Sequence, residues 1–384
     1  MQVIIVLALT IVSGLLLIPL VIRVIKKNNI MDLPGGRKIH KQSVPSMGGL
    51  GIMLAFAAGA AYILQGESLH SHYAIMVALG LLTLIGFWDD KMDMSAMHKL
   101  IGQLSAFSIL VILGDIRIHS FFGLLGIYEL PLIFSYALSI FMFVGLTNAY
   151  NLIDGLDGLA GTLGLISCNF LGVWFLYAGY KVEGLLCLAM FGGILAFLVY
   201  NWHPAKIFMG DTGSLPIGCF ITTLTIIFIN ANGALPIEST YKFHAPIASG
   251  LSLMIVCTYD TLRVFIRRIR RGKSPFSPDK SHIHHFLMRM GHDHDQVAML
   301  LGGVKLLFLG LVIACSNMSD HIMLPTIFVL AIASGGLINV VTLRKVRAKV
   351  RKTPPISQRM SLQLSTEDPR SRGENWEKEA ILER

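Results

Sequence analysis

The chain has 384 residues, of which 54% are hydrophobic and only 14% charged. A soluble domain carries nearer a quarter charged residues, so this composition belongs to a bilayer. The net charge is +9, but the cations stand in short loops beside apolar runs, which is the positive-inside pattern and argues against a nucleic-acid partner.

Residues 1–22 contain no Lys or Arg, and Arg23, Lys26 and Lys27 follow them. A signal peptide needs the charge first, so this run is expected to be a first membrane span with its N-terminus outside. Spanning helices need about 20 mostly apolar residues. Such runs fall near 3–22, 47–64, 72–88, 98–114, 131–147, 159–178, 183–200, 213–230, 244–262, 297–315 and 322–342. The expected fold is therefore an all-α polytopic membrane protein of about eleven transmembrane helices, with the N-terminus outside and the C-terminus cytoplasmic. Loop charge supports that orientation. The segments assigned inside hold 23 Lys and Arg, and those assigned outside hold 3. Residues 1–345 form one expected membrane domain, and 346–384 a polar, disordered cytoplasmic tail. Cys168, Cys187, Cys219, Cys257 and Cys315 lie in or beside apolar runs with no CxxC, which favours free thiols over disulfides or a zinc site.

Five segments can carry chemistry, and all fall on the inner side. Asp89-Asp90-Lys91-Met92-Asp93 ends the third span. Adjacent carboxylates repel unless a cation or proton shares their site, which favours a divalent metal; the plain alternative is a solvated helix end. Asn148 to Gly158 contains Asn148, Asn151, Asp154 and Asp157, with Gly after each Asp and no Lys or Arg. This oxygen-rich surface suits Mg²⁺ or sugar hydroxyls, although the same residue types build ordinary turns. Asn201 to Ser214 places Asp211 at the start of a span, where free backbone N–H groups favour anions. The loop 263–295 opens with an Arg run and holds five His between 282 and 294, including His282, His284 and His285. Zinc is one reading of these and phosphate another, while most of the Arg run is needed only for topology. The loop 35–49, with Lys41, is basic and Gly-rich, fit either to hold a phosphorylated lipid or to anchor the chain. Asp260 stands one turn before Arg263, so a helix-surface ion pair is the simplest account. Lys305 lies inside the tenth span, where it is expected to face the protein interior.

Metal-suited carboxylates and phosphate-suited cations on one membrane face suit phosphoryl transfer between a soluble phosphorylated substrate and a lipid phosphate. The ordered segments GFWDDKMD, NAYNLIDGLDGLAG, NWHPAKIFMGDTGS and SPFSPDKSHIHHFLMRMG, with RKIHK and P-x-x-GG at 37–49, resemble the polyprenyl-phosphate N-acetylhexosamine-1-phosphate transferase family of the glycosyltransferase 4 type. The HIHH form is similar to the undecaprenyl-phosphate GlcNAc-1-phosphate transferase branch. The resemblance implies a UDP-N-acetylhexosamine donor, most simply UDP-GlcNAc, and an undecaprenyl phosphate acceptor. It further implies release of UMP, initiation of a cell-surface polysaccharide, and a bacterial inner-membrane location with the site facing the cytoplasm. It also implies Mg²⁺, with Mn²⁺ as a substitute, and allows a homodimer.

By the same resemblance, Asn151 and Asp211 match metal-holding positions, and Asp89 and Asp90 the catalytic acidic pair, Asp89 being the candidate base. Asp154, Asp157, His282, His284 and His285 match donor-binding positions, and Lys41 and Lys99 are candidates for the acceptor phosphate. The alternatives are a secondary transporter, which would want its carboxylates near the midplane, and an intramembrane aspartyl protease built on Asp260 and Asp211.

Overall fold

In the computed structural model the described residues are 1–27, 31–32, 44–65, 70–274 and 282–352. Lys41 lies outside them, as do residues 353–384 of the expected tail. The chain divides into two units, Met1–Gly335 and Gly336–Arg384; of the second, the described part is helical to Lys352, inside the stretch assigned to the tail. Helices dominate, in chain order: α1 Gln2–Lys27, α2 Gly48–Ile63, α3 His70–Met92, α4 Ala96–Ser108, α5 Leu132–Ile153, α6 Leu159–Tyr177, α7 Lys181–Asn201, α8 Asp211–Ala234, α9 Pro246–Ser252, α10 Ile255–Ile269, α11 Ile283–Arg289, α12 His294–Ala314 and α13 Asp320–Lys352. A two-residue antiparallel pair, Met31–Asp32 with Val44–Pro45, is the sheet among the described residues.

The protein is thus an all-α, multi-pass membrane protein, because an apolar run can cross hydrocarbon only with its backbone polar groups bonded internally. Each expected span falls on helix. Among the described residues nine helices are long and apolar enough to cross, or ten if the bent pair α9–α10 is one span. The remaining expected span, 47–64, is α2, whose 16 residues are shorter than the usual crossing length. The run at 98–114 is α4 continued by a π-helical stretch, Ile109–Leu113. α8 is the axis: 94% of its apolar stretch is buried, against 22% in α1 and in the apolar part of α13.

Two polar devices shape this core. Asp293 and Gln296 form a reciprocal capping box that starts α12. Lys305, buried on α12, donates to the Leu163 carbonyl at 2.7 Å and to the Ser167 hydroxyl, which in turn donates at 3.1 Å to the Leu253 carbonyl. Leu253 lies at the 80° break between α9 and α10, so the lysine indirectly satisfies a carbonyl that a continuous helix would have bonded. Lys305→Met is expected to cost about 1–3 kcal/mol, read as a lowered Tm of the purified protein; an unchanged Tm would remove the brace.

Candidate active site

The C-terminal ends of α3, α5, α7 and α10 meet the N-terminal ends of α4, α6, α8 and α12 at one end of the bundle, and the sequence motifs occupy those ends. Asp90 closes α3 against α8. Its Oδ1 accepts the Asp211 N–H at 2.9 Å, and its Oδ2 accepts the Thr212 N–H at 3.0 Å and the Thr212 hydroxyl at 2.6 Å. The anion expected at this helix start is thus supplied by the protein itself. Gly210 makes this approach possible: its φ is +70°, and a Cβ there would collide with the Asp90 carboxylate.

Asp89 turns the other way. Its Oδ1 accepts the Met94 N–H at 2.9 Å and its Oδ2 the Lys99 ammonium at 3.2 Å. Lys99 also pairs with Asp211 Oδ2. A three-residue turn after α3 places Lys99 in the first turn of α4, ten residues on, and so brings a cation between two carboxylates of different helices. Asn151, near the end of α5, accepts the Ser214 hydroxyl of α8 at 2.9 Å. Asn148 exchanges hydrogen bonds with Gln103 of α4 at 2.8 and 3.3 Å.

The loop from α5 to α6 carries the next carboxyls. Burial, together with the charges of Asp90 and Asp157, pushes the Asp154 carboxyl up to about 7. Asp157 goes the other way. Its Oδ2 receives His203 Nδ1 at 2.7 Å and the Ala205 N–H at 3.2 Å, with His294 Nδ1 at 3.3 Å. Burial alone would raise it, but bonds from His294, His203 and Ala205 hold it at about 2. The ligand atoms of Asp157, His203 and His294 lie within 4.8 Å of one another, a grouping already accounted for by these hydrogen bonds. Asn201 accepts the Gly158 N–H at 2.9 Å and donates to the Ile207 carbonyl at 2.8 Å, tying this loop to the one before α8.

The histidine arm is α11 and the residue before it. Asp260, buried on α10, accepts His282 Nδ1 at 2.9 Å, the Ile283 N–H at 2.7 Å and Arg263 at 3.1 Å. The expected Arg263 pair is present, and two further donors share the same carboxylate. His284 lies parallel to His282, ring centres 5.6 Å apart, and 4.4 Å from the His285 ring. Burial and the neighbouring His285 push His284 down to about 3, so it is a neutral imidazole. Its Nδ1 is buried without a hydrogen-bond partner among the described residues. Its Nε2 faces Gly155, where a Cβ would come within 3.0 Å, so the arm closes on the loop between α5 and α6.

A family model described as glycosyl transferase family 4 matches residues 72–229. A probable undecaprenyl-phosphate N-acetylglucosaminyl 1-phosphate transferase of Bacillus subtilis is 34% identical over 84% of this chain and 87% of its own. The chain belongs to glycosyl transferase family 4. The Escherichia coli K12 undecaprenyl-phosphate alpha-N-acetylglucosaminyl 1-phosphate transferase is 30% identical, covering 80% of this chain and 83% of its own. A decaprenyl-phosphate N-acetylglucosaminephosphotransferase of Mycolicibacterium smegmatis is 35% identical over 70% and 71%. The stretch matched to glycosyl transferase family 4 runs from α3 into α8 and takes in Asp89, Asp90, Lys99, Asn151, Asp154, Asp157 and Asp211. The histidine arm lies beyond it.

Sequence reasoning brought together every described site residue at one end but missed three. His203 stands inside the Asn201–Ser214 segment and His294 is the last of the five His from 282, but nothing in the spacing ties either to Asp157, which they hold across 46 and 137 residues. Asp260 was noticed, but not as the anchor of His282.

Proposed function

We propose that this chain transfers GlcNAc-1-phosphate from UDP-GlcNAc to undecaprenyl phosphate at the cytoplasmic face of a bacterial inner membrane, releasing UMP and starting a surface polysaccharide. The observation that carries the reading is the pair of carboxylates from α3 and α8 on Lys99, with Asp90 beside them and Asp154 of the α5–α6 loop feeling its charge, all at one bundle end. The names of the relatives support its chemistry, and the loop charge supports its side. In the reaction an acceptor phosphate oxygen bonds to the sugar-linked phosphorus of the donor. The bond from that phosphorus to the bridging oxygen breaks, and UMP departs with the electron pair. A transporter finds no support in the relatives, and these carboxylates stand at helix ends.

The residues fit Mg²⁺, or Mn²⁺ in its place. Asp211 and Asn151 offer hard oxygens, and Lys99 already lies as a cation between Asp89 and Asp211. Asp154, crowded by like charge, would also be relieved by a cation. Bound Mg²⁺ would neutralise the donor diphosphate. Of the chain's own groups, Lys99 is placed to hold a phosphate, and Asp90 fixes the start of α8. Asp157, locked as an anion, holds the donor side of the pocket. Neutral His284 can give one N–H to the donor.

A test is purified protein with radiolabelled UDP-GlcNAc, undecaprenyl phosphate and Mg²⁺. Equal amounts of labelled lipid and UMP are expected; neither product with any UDP-hexosamine would refute the transferase. Asp89 has a narrower test. A phosphate monoester has its second pKa near 6, so little proton remains to be removed at neutral pH. Asp89→Asn is therefore expected to lose the same factor at pH 6.5 and pH 8, acting by position and charge. A much smaller loss at pH 8 would make it a base.

A further inference from the structure

α4 carries Lys99 into the site but buries little of itself. Of its 13 residues the buried ones are Gln103, Ala106 and Phe107. Phe107 stacks on Phe143 of α5, ring centres 5.4 Å apart. Gln103 stands between Lys99 and Phe107, about one turn from each. Its Nε2 donates to Asn148 Oδ1 of α5 at 3.3 Å, and Asn148 Nδ2 donates back to Gln103 Oε1 at 2.8 Å. Gln103 is 1% exposed, and an amide this deep in a bundle must find its partners in the protein. Asn148 meets both needs at once, because each amide offers the other an N–H and a carbonyl. Asn148 Nδ2 also donates to the Val144 carbonyl at 2.8 Å, which ties the side chain to its own helix.

These contacts close a ring through three helices. Lys99 of α4 pairs with Asp211 of α8. Ser214, one turn on from Asp211, donates to Asn151 of α5. Asn148 precedes Asn151 by one turn and returns the path to Gln103, one turn from Lys99. Lys99 and Asn151 meet α8 through different side chains, so α8 alone leaves their separation loose. The amide pair sets that separation from the next layer of the bundle. We propose that Gln103 is a positioning residue, whose bonds to Asn148 fix Lys99 relative to Asn151 for phosphoryl transfer. Its part in the reaction rests on the transferase reading above; its hold on Lys99 does not.

The test is pulse acetylation of the full-length protein with acetic anhydride, each lysine read by peptide mass spectrometry, beside steady-state kinetics. Lys305, buried on α12, is the internal control for folding. In Gln103→Met, Lys99 is expected to be acetylated severalfold faster while Lys305 stays protected. The same variant is expected to lose roughly tenfold to a hundredfold in kcat, with KM for UDP-GlcNAc unchanged. Gln103→Met with Asn148→Leu leaves no orphaned amide, so its Tm is expected to return to the wild-type value. Its Lys99 should stay reactive and its kcat low, and it carries the test if the single variant also exposes Lys305. Exchanging the two residues, Gln103→Asn with Asn148→Gln, restores a mutual amide pair and is expected to bring back Lys99 protection and most of the rate. Lys99 acetylation as slow as wild type in the apolar variants would overturn the proposal. So would recovery of kcat along with Tm in the double apolar variant, or an exchanged pair no better than that variant. Wild-type protein that makes no lipid-linked product would instead refute the transferase reading, and the acetylation rates would still decide whether Gln103 holds Lys99.

Discussion

Asp211→Asn is expected to lower kcat by roughly 10²–10³-fold, the loss typical when one preorganised charge-stabilising group is removed, and to raise the Mg²⁺ concentration for half-maximal rate strongly. Among the described residues, Asp211 is the carboxylate that joins the start of α8 to Lys99. An amide in its place removes a charged oxygen from the proposed metal position and leaves Lys99 to Asp89. Asp90→Asn is expected to behave differently. Both Asp90 oxygens accept from α8, and an amide must turn its NH₂ toward one of those donors. The start of α8 should then shift, costing about 1–3 kcal/mol and lowering the rate, while the Mg²⁺ requirement stays put. A metal titration and a thermal melt on both variants separate the two. Unchanged metal dependence in Asp211→Asn would take it out of the metal shell. A raised requirement with an unchanged melt in Asp90→Asn would make Asp90 a ligand instead of a cap.

What could be read from the chain depended on whether the cause was local. Apolar runs of spanning length announce helices because lipid leaves the backbone no alternative, so the expected spans land on helix, the run at 244–262 on two, α9 and α10. Asp211 at a helix start and the Asp260–Arg263 pair were legible for the same reason, since both depend on spacing within one helix. The break after α9 was not legible. Leu253 and Met254 are as apolar as their neighbours, and the bend is held by Ser167, with Lys305 behind it, from two other helices. The role of Lys305 was hidden because its partners are a backbone carbonyl and a hydroxyl, which leave no pattern. The Asp157 triad was hidden because it draws on two loops and the start of α12, far apart in the chain. The carboxylates were visible as a set only because a metal-and-phosphate chemistry demands many oxygens in a short stretch, and turns rarely need so many.

Asp260→Asn is expected to raise KM for the UDP-sugar roughly tenfold to a hundredfold, a range that small misplacements of binding groups reach, and to leave KM for the polyprenyl phosphate unchanged. The argument is positional. Asp260 is 1% exposed, and three donors among the described residues gather on it. Two of these, His282 Nδ1 and the Ile283 N–H, begin α11 and thereby aim His284 at Gly155. An amide oxygen cannot serve all three, and the charge-assisted bond to Arg263 is weakened. A merely structural role would lower Tm and affect both substrates alike. The positioning role is therefore read from the split between the two KM values, and from a double-mutant cycle with His282→Gln. If Asp260 acts through His282, the double variant should bind donor no worse than the weaker single variant. Additive losses, or a raised KM for the acceptor, would place Asp260 in some other part of the machinery.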